Sequence, residues 1–426
     1  MTILSYICFL SVLVLLATIF RKNTDAFSPA RLFLIIWLIA IGLTDLKLSR
    51  YQKHWSDFSW IALLIPLFST LTGMFIVYVI NYGRTIKSVN SIRRLLKSHS
   101  INSKLLFNYV TILFLAYIFS YLVTYWVVGY ITFFTSKPDL ARRDWQLFGF
   151  GLFVQSIPSI LYLIVVYFVL IKSKTSIKFF LLILFVIAFI SYLFLLQRYY
   201  IIFSLFISAV FLYYSTYKIR ARNVLIFIPV LAVIFYWVSS IRLGRYAANY
   251  LYYLSKMKFS IKYSIFSEPY MYVVMNLENF AHAVEKLQNF TYGIYTFDFL
   301  FAITGIKHTM AEYLHLKEYP DLITGSFNTY TMYFIFYRDF SFIGLCLIPL
   351  LFGMFFSGAY YKMKNSPSIN SVSVYTIIVF LIVFSFFVPL MTFLHFVFNF
   401  IVIYLVTRII SENRRKWKLD FANLNN

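Results

Sequence analysis

The chain is 426 residues long, 61% hydrophobic and only 12% charged, with 38 Lys and Arg against 15 Asp and Glu for a formal net charge of +23. Soluble globular domains are nearer half apolar and a quarter charged, so composition excludes that class and indicates a polytopic membrane protein. The basic excess does not indicate nucleic acid, because it is spread over short connections that would face anionic lipid.

About 20 apolar residues cross a hydrocarbon core of about 30 Å as a helix. In chain order such runs cover residues 3–20, 31–46, 58–82, 105–134, 148–171, 179–196, 199–217 and 223–241. After a long polar stretch come 340–361, 372–388 and 391–410. The expected fold is all-α, a single integral membrane domain over 1–426 with about eleven transmembrane helices. Gln197-Arg198 and Pro389 separate two of the pairs, which predicts tight hairpins. The first run is followed, not preceded, by basic residues (Arg21-Lys22), the reverse of a signal peptide, and reads as an uncleaved helix.

Short cytoplasmic loops hold an excess of Lys and Arg. With eleven spans, one side carries 22 of the 38 basic residues, including Arg84, Lys87, Arg93, Arg94, Lys362, Lys364 and Arg408, against Asp25, Glu412 and Asp420. The reading that follows is an N-terminus outside, a C-terminus inside and the 242–338 stretch outside. That stretch holds nine Lys and Arg, seven Asp and Glu and three of the six His, so it reads as a large extracytoplasmic loop. Within it Ser267-Glu268-Pro269 has the marks of a helix start, with Pro at the first helical position and an acid near the positive end of the dipole. Tyr270, Val273, Val274, Leu277, Phe280, Ala281, Val284 and Leu287 then recur at helical spacing, which predicts an amphipathic helix near 269–288 on the bilayer or capping the bundle. Phe290 to Ile306 is apolar but contains Asp298, and is expected to be interfacial or re-entrant.

Two cysteines, Cys8 and Cys346, both fall within apolar runs, so no disulfide framework is expected. Phosphate-loop, dinucleotide-binding and serine nucleophile motifs are missing, which removes the usual signatures of ATP-driven work and serine hydrolysis. Two constellations carry chemistry. Arginines at outer helix ends, Arg142-Arg143, Arg198, Arg242, Arg245 and Arg338, offer guanidinium forks suited to phosphate. Each could equally be an interfacial anchor. Acids and imidazoles of the outer side, Glu278, His282, His308, Glu312, His315 and Asp339, supply candidate general bases. Glu278 and His282 share a helix face but lack a third ligand at diagnostic spacing, so no metal is expected. His395 and Asp45, inside or at the edge of spans, are further candidates.

The run Phe327-Asn328-Thr329-Tyr330 through Tyr337-Arg338-Asp339-Phe340-Ser341-Phe342-Ile343-Gly344 to Gly353 resembles bacterial oligosaccharide repeat-unit polymerases, the Wzy-type O-antigen polymerases. Arg198 in its hairpin and the Ser239-Ser240-Ile241-Arg242 helix exit are similar too. Ser341 stands where that family has Gly after Asp-Phe, and an Arg-x10-Gly pattern of some members is absent after Arg242 and Arg245. The resemblance implies a metal-independent glycosyltransferase in the bacterial inner membrane that needs no cofactor. It would act on undecaprenyl-pyrophosphate-linked glycans at the periplasmic face, with membrane lipid, a chain-length regulator and a flippase as partners and no nucleic acid. In these terms Arg143, Arg198, Arg242, Arg245 and Arg338 would bind pyrophosphate, and Asn328, Tyr330, Tyr333 and Tyr337 would contact sugar. Asp339, Glu278 or His282 would orient or deprotonate the acceptor. Competing readings are an O-antigen ligase, a flippase for the lipid-linked unit, and a membrane O-acyltransferase using His282 or His395.

Overall fold

The computed structural model describes residues 2–19, 24–98, 101–216, 236–241, 243–244, 246–306, 309 and 320–424, with side chains to Ser411. Among these residues the regular structure is helical apart from one isolated bridge, Ser49 with Met257. Among the described residues seven helices are long and apolar enough to cross a bilayer: Asp57–Ile80, Ser103–Phe134, Phe150–Leu170, Thr175–Leu193, Arg198–Ser215, Tyr333–Asn365 and Leu394–Ser411. Ile3–Ile19 and Ile369–Phe384 are apolar but shorter. Large apolar side chains on these helices point away from the protein, among them Ile3, Phe68, Phe75, Phe179 and Ile343. So much exposed hydrocarbon belongs in lipid, and the protein is a polytopic membrane protein. The expected 223–241 span lies mostly outside the described residues, of which 236–241 are helical.

The single domain read from sequence resolves into two compact units, each assembled from separated stretches. One comprises Met1–Arg84, Tyr246–Tyr361 and Leu381–Phe396; the other comprises Thr85–Arg245, Lys362–Phe380 and Val397–Asn426. No composition change marks the divisions, because both units draw on apolar helices.

In the first unit α1 (Ile3–Ile19) packs on α2 (Pro29–Asp45), with Cys8 against Gly42. Asp45 accepts hydrogen bonds from Ser5 N at 3.1 Å and Ser5 Oγ at 2.6 Å. It therefore satisfies a donor that the first turn of α1 leaves open, a capping role for this candidate. α3 (Asp57–Ile80) is capped by Ser56, whose side chain accepts from Ser59 N. The long polar stretch supplies α9 (Ala247–Leu254), α10 (Ser267–Lys286) and α11 (Asp298–Thr304). Its junction with the α2–α3 connection is a bridge in which Arg50 N donates to Lys256 O at 3.0 Å and Lys258 N to Leu48 O at 2.9 Å.

α10 starts at Ser267, two residues before Pro269, and packs against α2 and α3, and its residues Asn276, Glu278 and Asn279 are buried although polar. The reason is that protein groups, not water, meet its polar side. Asn279 Nδ2 donates to Phe327 O at 2.7 Å and Thr329 O at 3.0 Å, while its Oδ1 accepts from Ile323 N at 3.2 Å. Glu278 is held in the same way, as described below.

α12 (Tyr333–Asn365) is broken at Phe340-Ser341, where Ser341 has φ 54° and ψ −144°. That backbone region is close to glycine-only territory and costs a side chain about 1–3 kcal/mol. The break turns the chain so that Gly344 meets the Phe336 carbonyl. Ser341→Gly is therefore expected to raise the thermal midpoint, by about 1 kcal/mol of stability; a lowered midpoint would refute the strain.

In the second unit α4 (Val89–Ser98), α5 (Ser103–Val128), α6 (Ile157–Leu170), α7 (Thr175–Leu193) and α8 (Arg198–Ser215) join α13 (Ile369–Phe384) and α14 (Leu394–Leu424). Polar pairs knit the apolar helices, as is favourable away from water: Tyr162 Oη donates to Ser373 Oγ at 2.7 Å and Ser159 Oγ to Asn399 Oδ1 at 2.7 Å. Buried Arg93 of α4 donates twice to Tyr213 O, at 3.0 and 2.8 Å, satisfying a carbonyl in the last turn of α8.

Candidate functional site

At the head of α12 a cavity of about 90 Å³ is lined by Tyr295, Asp298, Asn328, Tyr330, Thr331 and Arg338, with Pro389 and Phe393 closing it. Its construction starts from Asp339, which is fully buried. Its carboxylate accepts from Thr296 N at 2.6 Å, from Tyr295 N at 3.4 Å and from the Thr291 hydroxyl. The backbone carbonyls of Arg338 and Asp339 accept from Thr291 N at 3.0 Å and Tyr292 N at 3.2 Å. These bonds pin the 291–297 loop against α12. Asp339 is thus a buried anchor of that loop.

The pinned loop sets the Tyr295 ring under the Arg338 guanidinium, 3.5 Å from the ring centroid, and starts α11 at Asp298. Asn279, by holding the carbonyls on either side of Asn328, places that residue and Tyr330 on the opposite wall. Tyr330 stacks on Phe334 at 4.0 Å, and its hydroxyl donates to Pro320 O. Thr331 has no exposed surface, and its hydroxyl has no hydrogen-bond partner among the described residues although it lines the cavity. A buried polar atom of this kind is costly unless something answers it.

A second cavity of the same unit, about 320 Å³, is lined by Lys53, His54, Trp55, His282, Glu285 and Lys286, with Glu278 in its wall. Both Glu278 oxygens are engaged: Lys47 Nζ lies 2.9 Å from Oε1, and Trp55 Nε1 donates to Oε2 at 3.0 Å. Lys47 is also 5.4 Å from the Trp55 ring centroid. This clamp holds the Glu278 carboxylate in the cavity wall. Removing one partner of a buried pair strands the other charge. Because Lys47 keeps 22% side-chain exposure, Glu278→Ala is expected to cost about 2 kcal/mol, at the discounted end of the buried range. Lys47→Met/Glu278→Gln should recover part of that loss in thermal unfolding, and a fully additive double mutant would refute the coupling.

The His282 pKa is lowered below its usual 6.5, first by partial burial and then by Lys286 and Lys53, against the opposing pull of Asp321 and Glu285. Hydrogen bonds from Ser56 and Ser59 hold the Glu285 carboxyl below the usual carboxylate range. In both cases the unfolded chain binds the proton more readily. The stability they contribute is therefore complete above the unfolded values and is lost as pH falls. The unfolding midpoint is expected to decline below about pH 6.5, less so in His282→Gln, as pH-dependent melting would show.

The remaining candidates are distributed as follows. Tyr337 is buried, with its hydroxyl donating to Val284 O at 3.2 Å and its ring against Phe290 and Phe342. Tyr333 bonds Thr70 and stacks on Trp37 at 5.2 Å. Both are core residues, which corrects their expected place on sugar rings. Arg198 is buried at the start of α8 and donates from Nη1 to Ser239 Oγ at 2.7 Å, joining the Gln197-Arg198 hairpin to the helical 236–241 stretch. Gln197 beside it donates to Arg142 O at 3.4 Å; Arg142 pairs with Asp139 at 3.2 Å, and Arg143 is exposed. His395 lies against Phe393, ring centroids 5.4 Å apart. Arg242, Arg245, His308, Glu312 and His315 lie outside the described residues.

Sequence reasoning used Asp298 only as an argument against a span, and passed over Tyr295, Thr331, Lys47 and Trp55. An acid inside the apolar run 290–306 was the available signal for the first. The others carry no local mark, since their partners are distant in the chain. No protein-family model, curated protein or solved structure matches this chain.

Proposed function

We propose that the protein polymerises oligosaccharide repeat units carried on undecaprenyl pyrophosphate, at the periplasmic face of the bacterial inner membrane. The observation that carries this reading is the juxtaposition in one cavity of a buried arginine stacked on tyrosine, a carboxyl group, an amide and an aromatic ring, at the head of a membrane-spanning helix. Cation, carboxyl and aromatic face are the groups that transfer from a lipid-linked sugar phosphate requires. A cavity of this size takes a phosphate-sized group, at about 30 Å³ per water volume, and the Thr331 hydroxyl is placed to bond it.

In the proposed step an acceptor hydroxyl oxygen bonds to the anomeric carbon of the donor while the anomeric carbon–phosphate oxygen bond breaks. The electron pair leaves with undecaprenyl pyrophosphate, whose growing negative charge Arg338 stabilises. The hydroxyl proton passes to Asp298, placed beside it in the same cavity. Because the donor is already activated, no nucleotide site is required.

The topology proposed with this reading has about eleven spans, a periplasmic N-terminus, a cytoplasmic C-terminus and the 242–338 stretch in the periplasm. Pairing of loops within each unit supports the alternation of the spans, and the basic excess of the short connections supports their direction. The 46–57 connection meets 255–258 and α10, and the turn at Phe194 meets Phe133, as alternation across a membrane requires. Deleting the gene and resolving surface polysaccharide on a gel tests the function. A core carrying a single repeat unit is expected. Complete loss of surface glycan would favour ligase or flippase, and unchanged glycan would reject the reading.

A further inference from the structure

A larger cavity lies wholly in the second unit. It measures about 650 Å³ and is lined by Lys87, Lys362, Ser368, Asn370, Tyr404 and Arg408, with further serines between them. Specific bonds assemble it. Lys87 N donates to Lys364 O at 3.2 Å, tying the connection before α4 to the end of α12. Asn370 Nδ2 donates to Tyr404 O at 2.8 Å and Thr407 Oγ1 at 3.1 Å, tying α13 to α14. Ser368 and Ser371 exchange side-chain bonds at the start of α13, 2.9 and 3.0 Å long. Arg408 Nη1 donates to the Tyr404 hydroxyl at 3.2 Å, which directs the guanidinium along the wall.

Three cations therefore surround one concavity, and none of its described lining residues is acidic. Like charges gathered around a hollow repel one another, and the first turn of α13 adds the positive end of a helix dipole. An anion entering there gains from all of these at once. The volume corresponds to roughly twenty water molecules at 30 Å³ each, more than an inorganic ion needs. All three basic residues belong to the basic excess that the sequence reading assigns to the cytoplasmic side, Lys87 in the connection before α4, Lys362 in the last turn of α12 and Arg408 on α14. Basic pockets on that side of a membrane are suited to anionic lipid headgroups.

We infer that this cavity is a binding site for a phosphate ester anion, either the headgroup of an anionic phospholipid or a soluble phosphate compound. It does not rest on the polymerase reading. It also differs from general attraction of basic loops to lipid, because it depends on which lysines and arginine are present and not on total charge.

The test compares the full-length protein with Lys87→Gln/Lys362→Gln/Arg408→Gln and with a charge-matched control, Lys104→Gln/Lys172→Gln/Lys174→Gln, whose residues do not line the cavity. All six side chains are exposed, so folding is expected to survive in both variants. Each protein is reconstituted in phosphatidylcholine nanodiscs with a minor fraction of cardiolipin, and lipid retained through detergent extraction is measured by native mass spectrometry. The cavity variant is expected to retain cardiolipin about tenfold less than wild type, while the control keeps the wild-type level. In a second arm, in phosphatidylcholine alone, inorganic phosphate and glycerol 3-phosphate are titrated. Saturable binding lost only in the cavity variant would support the site and identify a soluble source. Equal losses in the two variants, or no loss specific to the cavity variant in either arm, would overturn the proposal.

Discussion

Gly353→Leu is expected to lower the thermal midpoint more than any other single change in the first unit. α12 and α3 touch through two glycines. A β-carbon on Gly353 would overlap the Thr70 carbonyl oxygen and lie 2.9 Å from its carbon. One on Gly73 would overlap the Leu350 carbonyl oxygen and lie 2.9 Å from Met354 N. Small residues let helix backbones approach in a membrane, where packing replaces the hydrophobic drive between helices. The obstructing atoms are backbone, so no side chain can rotate away, and the helices must separate. That places the cost at the upper end of overpacking, about 3 kcal/mol. Gly358 on the same helix supplies the internal control, because nothing lies within 4 Å of its β-position. Gly358→Ala is expected to be neutral or to stabilise by up to about 1 kcal/mol through helix propensity. A Gly353 variant that melts with wild type would remove the close contact from the account.

Arg338→Ala and Arg338→Lys are both expected to shorten cell-surface glycan to about the single-repeat level, with transfer reduced by about 10²–10³-fold. Lysine keeps the charge but cannot reproduce a planar group stacked on Tyr295, so it should restore little. The backbone bonds that hold the 291–297 loop use the Arg338 carbonyl and are kept in both variants, while the side-chain stack on Tyr295 is lost or altered; thermal unfolding of each variant separates a loss of fold from a loss of transfer. Asp339→Ala, in contrast, is expected to release the loop and reduce expression together with activity. Asp298→Asn should retain expression and lose activity. If Asp298→Asn kept normal chain length, the carboxyl would not be the acceptor's base.

The sequence reveals the membrane class readily, since α3 and α5 are long apolar runs whose length alone sets their environment. The start of α10 is legible for a local reason, the Ser267-Glu268-Pro269 run with an acid in the first turn, although no side chain caps it. Its burial is not: an amphipathic pattern cannot say whether a polar face meets water or protein, and the group that meets Glu278 is Lys47, 231 positions away. The Asp-Phe-Ser step is visible as a motif, yet only the backbone shows Ser341 in a conformation that favours glycine. Asp339 and Asp298 illustrate the limit for the site. Asp339 ends an aromatic run and Asp298 interrupts an apolar one, and nothing local says that the first accepts from Thr296 N while the second lines a cavity.

The central claim is that this chain itself joins lipid-linked repeat units. Its most direct test is to incubate the purified protein, in liposomes, with undecaprenyl-pyrophosphate-linked repeat units as the sole glycan. A ladder of longer chains with release of undecaprenyl pyrophosphate, absent with Arg338→Lys, is the expected result. Protein that remains folded yet produces no chain longer than the starting unit would contradict it.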